Sequence, residues 1–125
     1  MSATRTFDLA SASLRELNRF LHKDVSGTSH VRVEHPDGAH SIAVGIDAPV
    51  HVDIDGHAGY YAAGMNKSAT VTVHGNAGPG VAENMMSGTV RVKGFASVAA
   101  GASARGGLLV IEGDAGLRCG ISLKG

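Results

Sequence analysis

An all-β, right-handed parallel β-helix with coils of about nineteen residues and a short N-terminal capping helix is the fold this sequence predicts. Three observations carry that prediction. Gly56, Gly75, Gly94 and Gly113 stand nineteen residues apart. Each closes one phrase, an alternating apolar run, a polar residue, Gly, any residue and Ala, as in Val52-Asp53-Ile54-Asp55-Gly56-His57-Ala58. The composition holds 18 Gly, no Trp, 3 Phe and 2 Tyr. Small side chains suit thin stacked coils, where like residues recur every ~4.8 Å.

The N-terminal stretch differs from the rest. Ser13-Leu14-Arg15-Glu16 fits a capping box, with Glu16 reaching back to the Ser13 backbone N–H. Leu14, Leu17 and Leu21 share one helical face, Lys23 closes the last turn and Gly27 lies beyond, which predicts a helix over Leu14–His22. Solenoid ends need covering, so the helix is assigned as a cap, with a docking arm as the alternative. Residues 28–48 form a degenerate first coil: Val31-Arg32-Val33-Glu34 alternates, Pro36-Asp37-Gly38 signals a turn, and Ser41-Ile42-Ala43-Val44 follows. The organisation is therefore 1–48, helix and degenerate coil, then 49–125, regular coils, all within one domain.

Aligning the phrases on their glycines produces columns. Val52, Val71, Val90 and Leu109 share a face with Ile54, Val73, Val92 and Ile111, and this face must be the interior. Ala58, Ala77, Ala96 and Ala115 mark a tight corner. The glycines are expected to supply positive φ at the turn. Asp55, His74, Lys93 and Glu112 form a polar outer ladder, in which His74 and Asp55 make a surface pair.

Several functions are disfavoured. Eleven basic residues balance eleven acidic ones, so no net field draws nucleic acid or an anionic membrane. The start lacks the apolar run of a signal peptide and no segment is long and apolar enough to span a bilayer, so the expectation is a cytoplasmic protein. Cys119 falls in a column with Ala62, Val81 and Ala100 and is expected to be a small buried hydrophobe rather than a nucleophile. The seven histidines show no ligand spacing, and a zinc site is not expected. Gly78-Pro79-Gly80 runs into a strand rather than a helix, so it is a corner and not a phosphate cradle. No catalytic, cofactor-binding or metal residue is assigned.

The Tyr60–Lys67 and Glu83–Met86 runs depart from the repeat. Tyr60, Tyr61, Met65, Asn66, Lys67, Glu83, Asn84, Met85 and Met86 are accordingly the candidate partner interface, since aromatic and Met residues are enriched in interface cores. The alternative is that the tyrosines only roof one end of the stack.

The run Gly75 to Val90, the segment Gly56 to Lys67 and the opening Phe7-Asp8-Leu9-Ala10 resemble the G-x-G-x-G repeat domain that ends the large subunit of glutamate synthase. They look most like the stand-alone small subunit of N-methylglutamate synthase and related glutamate synthase-like complexes. That resemblance implies a β-helix with no cofactor of its own, packed between a glutamine amidotransferase-like subunit and a synthase-like subunit carrying FMN and an iron–sulfur cluster. The complex would join methylamine to glutamate. Chains of this type usually continue with further coils and a C-terminal cap, so the expectation at Leu123-Lys124-Gly125 is either a fragment lacking C-terminal coils or an open end that another chain covers. Two alternatives stay open: the equivalent subunit of a formylmethanofuran dehydrogenase-type complex, and an independent β-helix acyltransferase with His74 as base.

Overall fold

The computed structural model describes residues 3–24, 28–97 and 100–113. Gly27, Ala115, Cys119 and the last three residues, all used above, lie outside them. Among the described residues six parallel strands form one sheet in chain order: β1 Ala3–Asp8, β2 Thr28–Glu34, β3 His51–Asp55, β4 Thr70–Val73, β5 Thr89–Val92 and β6 Leu108–Ile111. Sequential parallel neighbours require the chain to circle once between strands. The result is a right-handed parallel β-helix.

The columns are physical ladders. Val52 pairs with Val71, Val71 with Val90 and Val90 with Leu109, while Ile54, Val73, Val92 and Ile111 do the same two residues on. Both ladders extend downward through Val31 and Val33 to Arg5 and Phe7. Val31, Val33, Val52, Ile54, Val71, Val73, Val90 and Val92 are completely buried. Each such aliphatic side chain contributes about 1.5–3 kcal/mol relative to exposure. The corner alanines stack too, through bridges from Ala58 to Ala77 and from Ala77 to Ala96.

The glycines have a different cause from the one expected. Of the four, only Gly56 has a left-handed φ, at 147°; Gly75, Gly94 and Gly113 do not. What they share is contact. A Cβ at Gly75 would lie 2.7 Å from the Gly56 carbonyl oxygen, at Gly94 2.8 Å from that of Gly75, and at Gly113 2.5 Å from that of Gly94. The ladder is glycine because each backbone rests directly on the one beneath it.

Left-handed residues are concentrated elsewhere. Tyr61, Ala63 and Met65 have φ of 61°, 55° and 53°, and Gly80, Ala82 and Asn84 repeat the pattern at 75°, 57° and 58°. Alternate left-handed residues turn successive peptides over, so their N–H groups point to different coils. Tyr61 donates to Pro79 and Met65 to Glu83 in the next coil, while Ala63 donates to Ile42 in the previous one. The runs that depart from the repeat in sequence therefore follow it in backbone.

The N-terminal helix α1 spans Leu14–Arg19 and closes in a π-helical turn, Phe20–Asp24, rather than continuing as α-helix to His22. The Ser13 hydroxyl accepts the Glu16 N–H at 3.1 Å; among the described residues this half of the capping box forms without the return bond. Leu17 and Leu21 are buried. The cap works through side chains that imitate a missing coil. Asn18 Oδ1 accepts the Ala43 N–H at 2.9 Å, as backbone carbonyls accept those of Ala63 and Ala82 in later coils. Asn18 Nδ2 donates to the Ser41 carbonyl, and His22 Nε2 to that of Val44, both at 2.9 Å. The first coil is thus β1 plus α1, and β1 is a strand for which the glycine phrase offers no signal.

Candidate partner-binding surface

The nine candidate residues divide sharply. Tyr60, Met65, Lys67, Asn84 and Met86 are exposed, and Tyr61 and Glu83 are half-buried. Asn66 and Met85 are core residues, at 0% and 2% exposure, and so are withdrawn from any contact surface. Both occupy the interior column Ile46, Asn66, Met85, Ala104, whose members are all buried. Asn66 survives there because its Nδ2 donates to the carbonyls of Ala69 at 2.8 Å and Ser87 at 3.2 Å. Its Oδ1 is buried without a partner.

Tyr60, Tyr61 and Glu83 meet at a corner of the helix with Ser41, Pro79 and Gly80, around an open groove of about 420 Å³. The nineteen-residue repeat sets Pro79 and Gly80 one coil above Tyr60 and Tyr61, which is why two separate runs line one groove. Tyr60 stacks on His40 with centroids 3.9 Å apart, and the Tyr60 N–H donates to His40 Nδ1 at 3.0 Å. Gly64 leaves room for the Tyr61 ring, since a Cβ there would meet it at 2.5 Å. Tyr61 and Met65 hold left-handed φ, uncommon for large side chains, so backbone strain lies at this surface. Lys67 lies off the groove, 3.8 Å from Asp47.

Phe95 is a further exposed aromatic residue, outside the nine candidates. It follows Gly94 as His57 follows Gly56 and Asn76 follows Gly75. His57 Nδ1 accepts the Asn76 N–H and Asn76 Oδ1 accepts the Phe95 N–H, each at 2.8 Å. Phe95 has no acceptor to pass on, yet it is 57% exposed, so an apolar ring replaces a polar ladder rung. That column was legible in the sequence; its hydrogen-bonding role was not.

The outer face of the sheet carries a second cluster. His74 pairs with Asp53 rather than Asp55: His74 Nε2 lies 2.7 Å from Asp53 Oδ1. Asp55 is held by Arg32 at 2.5 Å. His30 Nε2 approaches Asp53 Oδ2 to 2.5 Å and His51 Nε2 lies 3.6 Å from Oδ1. Desolvation pushes the Asp53 carboxyl up, but hydrogen bonds from His30 and His74 and the charges of His51 and His74 outweigh it, and the net shift is downward. Lys93 and Arg91 share the Glu112 carboxylate at 3.5 and 3.1 Å. The Asp53 carboxylate thus ties β3 to β2 through His30 and to the residue just beyond β4 through His74. Among the described residues no three His, Cys, Asp or Glu side chains are disposed to hold a metal ion. No described helix is long and apolar enough to cross a membrane.

No protein-family model matches the chain, and no solved structure matches it. A stretch of 56 residues is 61% identical to Protein GlxC of Rhizobium meliloti (strain 1021). The match covers 43% of this chain and 25% of that protein, so the matched stretch spans about a quarter of that protein's length.

Proposed function

We propose that this chain is a non-catalytic β-helical subunit of a glutamate synthase-like complex, and of N-methylglutamate synthase in particular. Its role is to hold a glutamine amidotransferase-like subunit and a synthase-like subunit with FMN and an iron–sulfur cluster at a fixed distance and orientation. Transfer of a labile amine gains from such positioning. The reading rests on the resemblance of the Gly56–Lys67 and Gly75–Val90 runs, and one structural observation supports it. Large apolar side chains, Tyr60 at 51%, Met65 at 44%, Met86 at 49% and Phe95 at 57% exposure, stand out from a tightly repeating backbone. A rigid solenoid with interface-type residues on its turns is suited to docking and poorly suited to closing around a substrate.

Co-expression of the full chain with the two proposed partners, followed by affinity capture and size exclusion, tests this. The expected result is one assembly with flavin absorbance. Recovery of the chain as a clean monomer, without larger flavin-containing partners, would sink the proposal.

A further inference from the structure

The corner groove has a chemical preference that its apolar lining alone does not suggest. Ser41, Tyr60, Tyr61, Pro79 and Gly80 contribute no charge, and Glu83 is the single carboxylate among the lining residues. The carboxylates of Asp8, Asp47, Asp53, Asp55 and Glu112 each have a cationic or imidazole partner within 4.0 Å. Glu83, half-buried, has no such partner among the described residues; Glu16, Glu34 and Asp37 also have none, but of these four only Glu83 lines the groove. Its position is not accidental. The Glu83 N–H donates to the Gly80 carbonyl at 3.1 Å, and a Cβ at Gly80 would come within 2.7 Å of Glu83 Oε2. The carboxylate therefore lies directly over Gly80.

We infer that this groove receives an arginine side chain from the surface of a partner protein. Charge complementarity selects a cation, because a half-buried carboxylate without a counter-charge favours one. The two tyrosines favour a guanidinium, which stacks on aromatic faces while its planar fork pairs with the carboxylate. The groove is open to solvent, so it fits a side chain projecting from another surface rather than an enclosed small molecule. This inference rests on the corner being a docking surface and is independent of which complex the chain joins.

The test uses the full chain, ¹⁵N-labelled, titrated with N-acetylarginine methylamide and with its neutral isostere N-acetylcitrulline methylamide. Saturable shifts are expected at Ser41, Tyr60, Tyr61, Gly80 and Glu83, with the citrulline compound weaker by about five-fold or more. Glu83→Gln should erase that preference, and Tyr60→Leu should weaken both compounds. Glu83 makes no side-chain hydrogen bond among the described residues, so E83Q should fold; otherwise loss of the arginine preference in high salt replaces it. Equal binding of the two compounds would overturn the inference. So would shifts spread over the other carboxylates, or no saturation by about 50 mM. Arginine binding without co-purifying partners would leave the groove standing and remove the complex; assembly without arginine preference would do the reverse.

Discussion

Replacing Gly75 by alanine tests the physical basis of the repeat. The added methyl would sit 2.7 Å from the Gly56 carbonyl oxygen, 2.8 Å from its carbon and 2.9 Å from His57 Nδ1. Carbon–oxygen contacts normally begin beyond ~3 Å, so neighbouring coils must separate locally by several tenths of an ångström. They are poorly placed to do so. Bonds from His74 N–H to Ile54, from Asn76 N–H to His57 and from Ala58 N–H to Asn76, at 2.8, 2.8 and 2.9 Å, hold the coils at that spacing. Overpacking of this kind costs about 1–3 kcal/mol, against which the stiffer unfolded chain returns about 0.4–1 kcal/mol. The net expectation is a loss of about 1–2 kcal/mol, or several degrees in Tm. Urea and thermal unfolding of the full chain measure it. The order of variants discriminates further, because Gly75 lacks a left-handed φ and Asn should be worse than Ala. At Gly38, where φ is 73° and nothing lies within 4 Å, Asn should be the milder of the two. A Gly75→Ala protein as stable as the parent, or a milder Gly75→Asn, would refute the close-approach argument.

Asn66→Leu suits the aliphatic column of Ile46 and Met85 but strips donors from the carbonyls of Ala69 and Ser87, and should destabilise by about 1–3 kcal/mol in thermal unfolding. A leucine variant equal to the parent would show that those carbonyls do not need Asn66. Asn18→Ala should speed hydrogen exchange at the Ala43 amide, about tenfold for a loss near 1.4 kcal/mol, with little change at Val73. Unaltered exchange at Ala43 would contradict the proposed mimicry of a coil. Asp53 has its folded pKa below its unfolded value of ~3.9, so its contribution is present above that pH and is lost as pH falls through the folded pKa. Asp53→Asn should therefore flatten acid destabilisation in that window, and an unchanged acid limb would exclude the carboxylate as its source.

The strand ladders were legible because a parallel hydrogen-bonded stack places like residues over one another. The period that aligns Val52, Val71 and Val90 in the sequence is the register that aligns them in space. Binary alternation then settled which side of each strand faces inward. The departure of their runs from the repeat places Asn66 and Met85 on the surface, whereas both are buried. Only the fold supplied the two carbonyls that satisfy the Asn66 amide inside.

Outside the strands, side-chain direction depends on the sign of φ, which the alternation of Tyr61, Ala63 and Met65 does not encode in residue type. Strand β1 was missed because α1 separates it from β2, so Phe7 stands twenty-six residues from Val33, its partner, instead of nineteen. His74 prefers Asp53 to Asp55 because side chains on a sheet face also meet on the diagonal, which a column alignment omits. Sequence by itself determined the repeat, the coil and the buried faces, since these follow from periodicity and burial. The tertiary structure alone decided why the ladder is glycine, which polar groups pair, and that Tyr60, Tyr61 and Glu83 share one groove. Those outcomes turn on distances between coils, and a single coil's sequence does not contain them.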